Sequence, residues 1–78
     1  MEQYGILSGM TEVIKNCVYE HRTKNGWTQG ELAERVGVTR QTVIALERGR
    51  YTPSVLLALK IAREFRVPVE TLFNISRG

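Results

Sequence analysis

Residues 39–48, TRQTVIALER, have the pattern of one short helix with two unlike sides. Thr39 is a favourable N-cap because its hydroxyl can accept a hydrogen bond from a free amide of the first turn. Gly49 follows as a typical residue just beyond a helix end. With about 100° of rotation per residue, one side carries Val43, Leu46 and Glu47. The other carries Gln41, Ala45 and Arg48, with Thr42 and Ile44 beside it and Arg40 at the N-terminal tip.

The residues before this helix predict another helix and a tight turn. Thr28 and Glu31 have the spacing of a capping box, in which each side chain satisfies a backbone amide of the other residue. Gly37 can end that helix because glycine adopts the left-handed conformation without a Cβ clash. Ala33 suits the point where the two helices come closest, since a larger side chain would push them apart. We expect their shared core to comprise Leu32, Val36, Val38, Val43 and Leu46.

Two helices joined by such a turn form a helix-turn-helix, whose second helix can lie in the major groove of DNA. Arginine pairs well with guanine, and glutamine with adenine. Arg40 and Gln41 lie in the first turn of the second helix, so they are candidates for contacts with base edges. The alternative is that both are ordinary solvated surface residues.

Three further helices complete a prediction of an all-α fold with five helices. The first spans about residues 11–24, the fourth residues 55–65 and the fifth residues 68–73, where Pro68 suits the first helical position. The first helix should bury a stripe of Ile14, Cys17, Val18 and His21. The fourth should bury Val55, Leu56, Leu59, Ala62 and Phe65.

Length and composition indicate one small globular domain. The chain has 78 residues, of which 42% are hydrophobic, an ordinary apolar fraction. Gly5 and Gly9 interrupt residues 1–9, which we interpret as an N-terminal arm before a domain over residues 10–73 and a C-terminal tail over residues 74–78. The net charge of +3 is compatible with a nucleic-acid partner.

The sequence favours a cytoplasmic protein without a membrane or metal partner. Cys17 is the single cysteine, so no internal disulfide can form and a reducing cytosol is expected. No apolar run approaches transmembrane length. Cys17 and His21 share one helical side, but a structural zinc site takes four ligands and the sequence has no other cysteine or histidine. We therefore expect no metal, no cofactor and no enzymatic activity.

Residues 29–48, QGELAERVGVTRQTVIALER, closely resemble the helix-turn-helix of the Cro/repressor family of transcription regulators, also called the xenobiotic-response-element family. The similarity continues through GRYTPSVLLALKIAREFRVPVETLF and covers roughly residues 14–73. It implies a compact five-helix, all-α domain that binds double-stranded DNA.

The resemblance also implies roles for particular residues. Residues that reach base edges in the family match Arg40, Gln41 and Ala45, and Ile44, beside Ala45, is a further candidate. Residues that contact the DNA backbone match Gln29, Thr42, Arg48 and Arg50, and Thr28, next to Gln29, is a further candidate. Two positions depart from the family pattern, because His21 replaces a usual leucine and Ile44 replaces a common polar residue. An isoleucine in the groove could contact a thymine methyl, or it could be partly buried instead.

The charge of Glu47 requires a partner within the domain. It lies on the inner side of the third helix, and an unpaired buried carboxylate is costly. Arg22 lies one residue beyond the apolar stripe of the first helix, and phage-repressor relatives have an arginine–glutamate pair at these positions. We therefore predict an ion pair between Arg22 and Glu47.

Together these patterns predict a sequence-specific transcription regulator, acting as a repressor and as a homodimer on an inverted-repeat operator. One short helix contacts too few base pairs to select a genomic site. The predicted dimer interface comprises Val69, Leu72, Phe73 and Ile75. The alternatives are a restriction-modification controller protein, or a protein-interaction module such as an antitoxin, which normally needs a separate neutralising segment. Only residues 1–9 and 74–78 would be free for that purpose.

Overall fold

The computed structural model describes residues 12–77, which form five helices and two strands. The elements in chain order are β1 (Glu12–Asn16), α1 (Val18–Lys24), α2 (Gln29–Val36), α3 (Arg40–Glu47), α4 (Val55–Phe65), α5 (Val69–Leu72) and β2 (Phe73–Arg77). Within these residues, no helix is both long enough and apolar enough to cross a membrane. The predicted arm, residues 1–9, lies outside the described residues.

The α2–α3 unit has the local structure that its sequence predicts. The Thr28 hydroxyl accepts a hydrogen bond from the Glu31 amide at 3.0 Å, and the Glu31 carboxylate accepts one from the Thr28 amide at 2.7 Å. Gly37 follows α2 with φ +76°, a conformation that a residue with a Cβ rarely adopts. Thr39 then caps α3 by accepting a hydrogen bond from the Thr42 amide. The predicted helix-turn-helix is thereby confirmed.

The prediction of an all-α fold was wrong at both ends of the domain. Residues 12–16 do not belong to the first helix but form β1. Residues 74–77, expected in a tail, form β2 together with Phe73, which was expected to end the fifth helix. The two strands pair antiparallel, with Ile14 opposite Ile75. The expected fifth helix is also shorter, since Pro68 is its N-cap and Phe73 begins β2. Each strand depends on a partner about sixty positions away, so neither shows in the local pattern.

One core joins all five helices. Its most enclosed side chains are Leu32, Leu46, Ile61, Leu72, Val18 and Val43. Trp27 packs against it with its ring stacked on Phe65 at 5.3 Å between centroids. Arg35 covers Trp27 at 4.0 Å from the ring centroid and pairs with Glu64. The expected burial of Leu32, Val36, Val43 and Leu46 is confirmed.

The inner side of α4 differs from the prediction. The structure buries Leu57, Ile61, Ala62 and Phe65. Val55, Leu56 and Leu59 were expected in the core, yet they are 76%, 64% and 51% exposed. The helix is apolar at most positions, so several stripes of similar hydrophobicity compete, and the packing of α4 on α2 and α5 decides among them.

Candidate nucleic-acid interface

The outer side of α3 carries most of the predicted DNA-contacting residues. Arg40 and Gln41 are exposed in its first turn, while Ile44 and Ala45 are half-buried in the next. On the opposite side, Val43 and Leu46 are each 1% exposed. Because the apolar side is fixed in the core, the polar side must face outward. Ile44 is neither fully exposed nor part of the core, so its apolar side chain lies at the edge of the outer side of α3.

A buried ion pair fastens the last turn of α3 to α1. Nε of Arg22 lies 2.6 Å from Oε2 of Glu47, and Nη2 lies 3.1 Å from Oε1, so the contact is bidentate. The two side chains are only 9% and 5% exposed. Bidentate contacts of this kind combine energy with geometric definition. The Arg22–Glu47 pair thus fixes α3 relative to the rest of the domain.

A third donor of Arg22 is also used within the protein. Its Nη1 donates a hydrogen bond to the Trp27 carbonyl at 2.8 Å, and its guanidinium lies 5.3 Å from the Tyr19 ring centroid. The hydrogen bond to Glu47 raises the pKa of Arg22, outweighing the opposite effect of burial. An arginine side chain is protonated at physiological pH in any case, so Arg22 keeps its charge in the pair.

Gln29 connects this pair to the protein surface. Its Nε2 donates to Oε1 of Glu47 at 3.1 Å. An amide nitrogen carries two donors, so Gln29 retains one that can face a phosphate. Thr28 beside it is exposed, and its hydroxyl, although engaged as an acceptor in the capping box, still has its own proton to donate.

The turn after α3 presents two arginines. The Gly49 amide donates to the Leu46 carbonyl at 3.0 Å, and the Arg50 amide donates to the Ala45 carbonyl at 2.9 Å. These bonds form a Schellman motif, in which the residue after the helix takes the left-handed conformation; Gly49 has φ +73°. Arg48 and Arg50 flank this glycine and are exposed. At the other end of α3, the Thr42 hydroxyl lies 3.1 Å from that of Thr39.

Cys17 lies beside His21 and contacts α5. The Cys17 thiol donates to the Thr71 carbonyl at 3.2 Å and lies 3.6 Å from Nδ1 of His21. Burial and the nearby charge of Glu20 raise the pKa of the Cys17 thiol, which disfavours the reactive thiolate. In residues 12–77, no group of three or more potential metal ligands comes together. The geometry fits packing against α5.

One of the four predicted dimer residues does not lie at the surface. Leu72 is fully buried in the core and cannot contact a partner, so this part of the prediction was wrong. Val69 and Phe73 are half-buried, and Ile75 is 67% exposed. Val69 and Phe73 line a groove of about 230 Å³. Its other lining residues are Ile14, Thr52, Pro53, Val55, Ala58 and Leu59.

Sequence reasoning missed two features of this half of the molecule. One is the exposed apolar side of α4, which the helical wheel had assigned to the core. The other is Asn16, whose side chain contacts the Leu46 carbonyl of α3. An asparagine shortly before a helix can signal a turn that uses its side chain, but its contact with α3 has no local signature.

These features define a class of protein. A two-helix unit with a left-handed glycine turn, whose second helix exposes an arginine and a glutamine in its first turn, has the form of a DNA-binding helix-turn-helix. The family model described as "Helix-turn-helix" matches residues 18–72. The chain therefore belongs to the helix-turn-helix family of transcription regulators, of the Cro/repressor type.

Similar proteins occur in archaea and bacteria. An uncharacterized HTH-type transcriptional regulator of Methanothermobacter thermautotrophicus is 57% identical over 61 residues, which is 77% of this chain and 88% of that protein. The uncharacterized HTH-type transcriptional regulator YgzD of Bacillus subtilis is 53% identical over 60 residues, 77% of this chain and 91% of that protein. The names of these relatives describe regulators.

Solved structures share the fold. The restriction-modification controller protein C.AhdI of Aeromonas hydrophila is 31% identical with a TM-score of 0.65, covering 69% of this chain and 82% of that one. The transcriptional regulator VanUg has a TM-score of 0.73 over 99% of this chain and 100% of that one, at 17% identity. The second match concerns the fold alone.

Proposed function

We propose that this protein is a sequence-specific repressor that binds double-stranded DNA as a homodimer, with α3 in the major groove. One observation carries the proposal. The carboxylate of α3, Glu47, is buried against Arg22, so the outer side of the helix is left with cationic and amide groups. Arg40 and Gln41 on that side are exposed and suit guanine and adenine edges.

Residues around α3 extend the same surface towards the DNA backbone. Arg48 and Arg50 are exposed on the turn that follows it, and Gln29 and Thr28 lie at the start of α2. Contacts with phosphates set the register of a protein on the duplex without reading sequence. We assign backbone contacts to these four residues and to Thr42. Base contacts are assigned to Arg40, Gln41, Ala45 and the half-buried Ile44.

The structure also suggests a revised dimer interface. Val55, Leu56 and Leu59 expose a row of large apolar side chains on α4, beside the groove that Val69 and Phe73 line. Exposed apolar patches of this kind mark interaction sites. A second copy is the occupant we propose, because in a two-fold arrangement the same ridge and groove meet on both subunits. Leu72 has no part in this interface, whereas Ile75 on β2 lies exposed to extend it.

The direct test is selection of bound sequences from random duplex DNA, with sedimentation equilibrium of the free protein. We expect an inverted repeat whose half-sites are about 34 Å apart, or a multiple of that, and a dimer at micromolar concentration. A protein that selects no sequence would contradict the proposal of specific binding. A strict monomer, free and on DNA, would contradict the dimer while leaving the role of α3 intact.

A restriction-modification controller is the second candidate function. The observation in its favour is the structural match to C.AhdI at 31% identity. Such a role keeps the same DNA-binding surface and differs only in the target gene. Locating the selected site in the genome would distinguish the two, since a controller should bind beside restriction and modification genes.

A further inference from the structure

Asn16, the last residue of β1, connects two helices through one side chain. Its Oδ1 accepts a hydrogen bond from the Val18 amide at 3.0 Å, which closes a turn at the start of α1. Its Nδ2 donates to the Leu46 carbonyl, also at 3.0 Å. Leu46 lies in the last turn of α3, thirty positions along the chain. Both ends of the Asn16 amide are therefore engaged, one locally and one with α3.

The acceptor of this bond belongs to the turn that presents Arg48 and Arg50. The Leu46 carbonyl also accepts the Gly49 amide at 3.0 Å, so Asn16 and Gly49 use its two lone pairs. Unsatisfied carbonyls at a helix end normally find water or a side chain. Here the partner comes from the sheet, so the end of α3 is fastened to an element outside the helix-turn-helix.

Two attachments thus act on consecutive residues of α3. Leu46 is held through its backbone by Asn16, and Glu47 is held through its side chain by Arg22. Core packing of Val43 and Leu46 already holds the inner side of α3, and these two polar contacts with different partners further restrict the tilt of its C-terminal end. Tilt matters because base contacts tolerate only small displacements of the side chains that make them.

We propose that Asn16 is a positioning residue for DNA recognition, which fixes the orientation of α3 without touching DNA. This inference rests on the proposed function of α3 as the base-contacting helix. It predicts that losing the bond to Leu46 impairs discrimination between sequences more than it impairs binding to DNA in general.

Asn16→Ser is the variant that separates the two bonds. A serine hydroxyl can still accept the Val18 amide, but it is too short to reach the Leu46 carbonyl. Asn16→Asp is the second variant, since a carboxylate keeps the acceptor and has no donor. Asn74→Ser and Asn74→Asp are matched controls, because Asn74 lies exposed on the same sheet, opposite Lys15.

The measurements are the affinities for the selected site and for random duplex DNA, well below the unfolding temperature. We expect Asn16→Ser to weaken binding to the selected site about tenfold, because one hydrogen bond no longer stabilises the binding orientation of α3. Binding to random DNA should be unchanged. Amide hydrogen exchange at Gly49 and Arg50 should accelerate in the free variant. The Asn74 variants should resemble the wild type, apart from a general effect of the added charge in Asn74→Asp.

The outcomes separate this inference from the proposed function. If the wild type does not distinguish the selected site from random DNA, the proposed function fails and the positioning role fails with it. If the wild type discriminates and a folded Asn16→Ser protein does so equally well, the positioning role alone is overturned. It is also overturned if both Asn16 variants fail to fold, since Asn16 would then be a requirement of the fold.

Discussion

The molecule has two exposed surfaces of opposite character, each on one helix. The outer side of α3 exposes arginine and glutamine, while α4 exposes Val55, Leu56 and Leu59. The charged and amide groups of the α3 surface form hydrogen bonds with water. Phosphates and base edges can replace that water as hydrogen-bond partners. The α4 surface gains free energy only when it is covered, because burial of apolar area is favourable.

The two surfaces differ in how firmly their sequences determine them. On α3, polar and apolar residues alternate with the helical period, and Glu47 requires a partner at a defined place. On α4, apolar residues occur on more than one side, so the sequence alone does not say which row is covered by this chain. The difference is consistent with the proposed roles, in which α3 recognises a polar partner and the exposed apolar side of α4 associates with a second subunit.

The largest effect is expected from breaking the attachment of α3. Removing one partner of a buried ion pair costs about 3–5 kcal/mol, so Arg22→Met and Glu47→Leu should each destabilise the protein strongly. The double variant should lose much less than the sum, because no unpaired charge remains. Urea unfolding of the four proteins measures the coupling.

The exposed pair Arg35–Glu64 is a natural control for that cycle. Its side chains are 46% and 26% exposed, and surface pairs contribute about 0–1 kcal/mol. Arg35→Met and Glu64→Leu should therefore show little coupling. A coupling near zero at Arg22–Glu47 as well would mean that the buried pair does not hold α3.

A charge on the apolar surface should cause the next largest change. Leu56→Asp or Leu59→Asp should yield a monomer, because a carboxylate would have to be buried in the interface. Loss of the second DNA-binding unit should weaken binding to an inverted repeat by about 100-fold or more. Sedimentation equilibrium and titration of the selected site measure the two effects.

Thr23→Asp adds the same charge to an exposed position of α1 and should leave the dimer intact. Ile75→Asp tests how far the interface extends along β2, since Ile75 is exposed. A dimer unchanged by both Leu56→Asp and Leu59→Asp would place the interface away from α4.

On the polar surface, the expected effects are smaller and local in sequence. Arg40→Ala or Gln41→Ala should cost about 1–3 kcal/mol of specific binding and relax the preference at one position of each half-site. Repeating the selection with each variant identifies that position. Unchanged affinity and preference in Arg40→Ala would show that the first turn of α3 does not contact bases.

The smallest and most uniform effect should come from the turn after α3. Arg48→Gln and Arg50→Gln each remove a charge and replace arginine by a shorter side chain that is still polar. Each should weaken binding to all sequences alike and lower the slope of log affinity against log salt by about 1. A change in sequence preference, with the salt dependence intact, would instead assign that arginine to a base.

The sequence by itself determined the α2–α3 unit. Its signals are local: Thr28 with Glu31, Gly37, Thr39 and Gly49 each act within one turn of the chain. The Arg22–Glu47 contact could also be anticipated, because a buried carboxylate requires a partner and the family resemblance indicated which arginine. The exposure of Arg40 and Gln41 could be predicted as well, because the helical period of α3 places both residues away from its apolar side.

Only the tertiary structure decided the remainder, because the deciding partners are distant in sequence. Residues 12–16 form a strand since β2 is there to pair with them, and no local pattern shows that partner. The covered row of α4 depends on how the helix packs against α2 and α5. The bond from Asn16 to Leu46 spans thirty positions. Local propensity fixes capped helices and glycine turns, whereas sheet pairing and the choice among similar apolar rows depend on contacts that exist only in the folded chain.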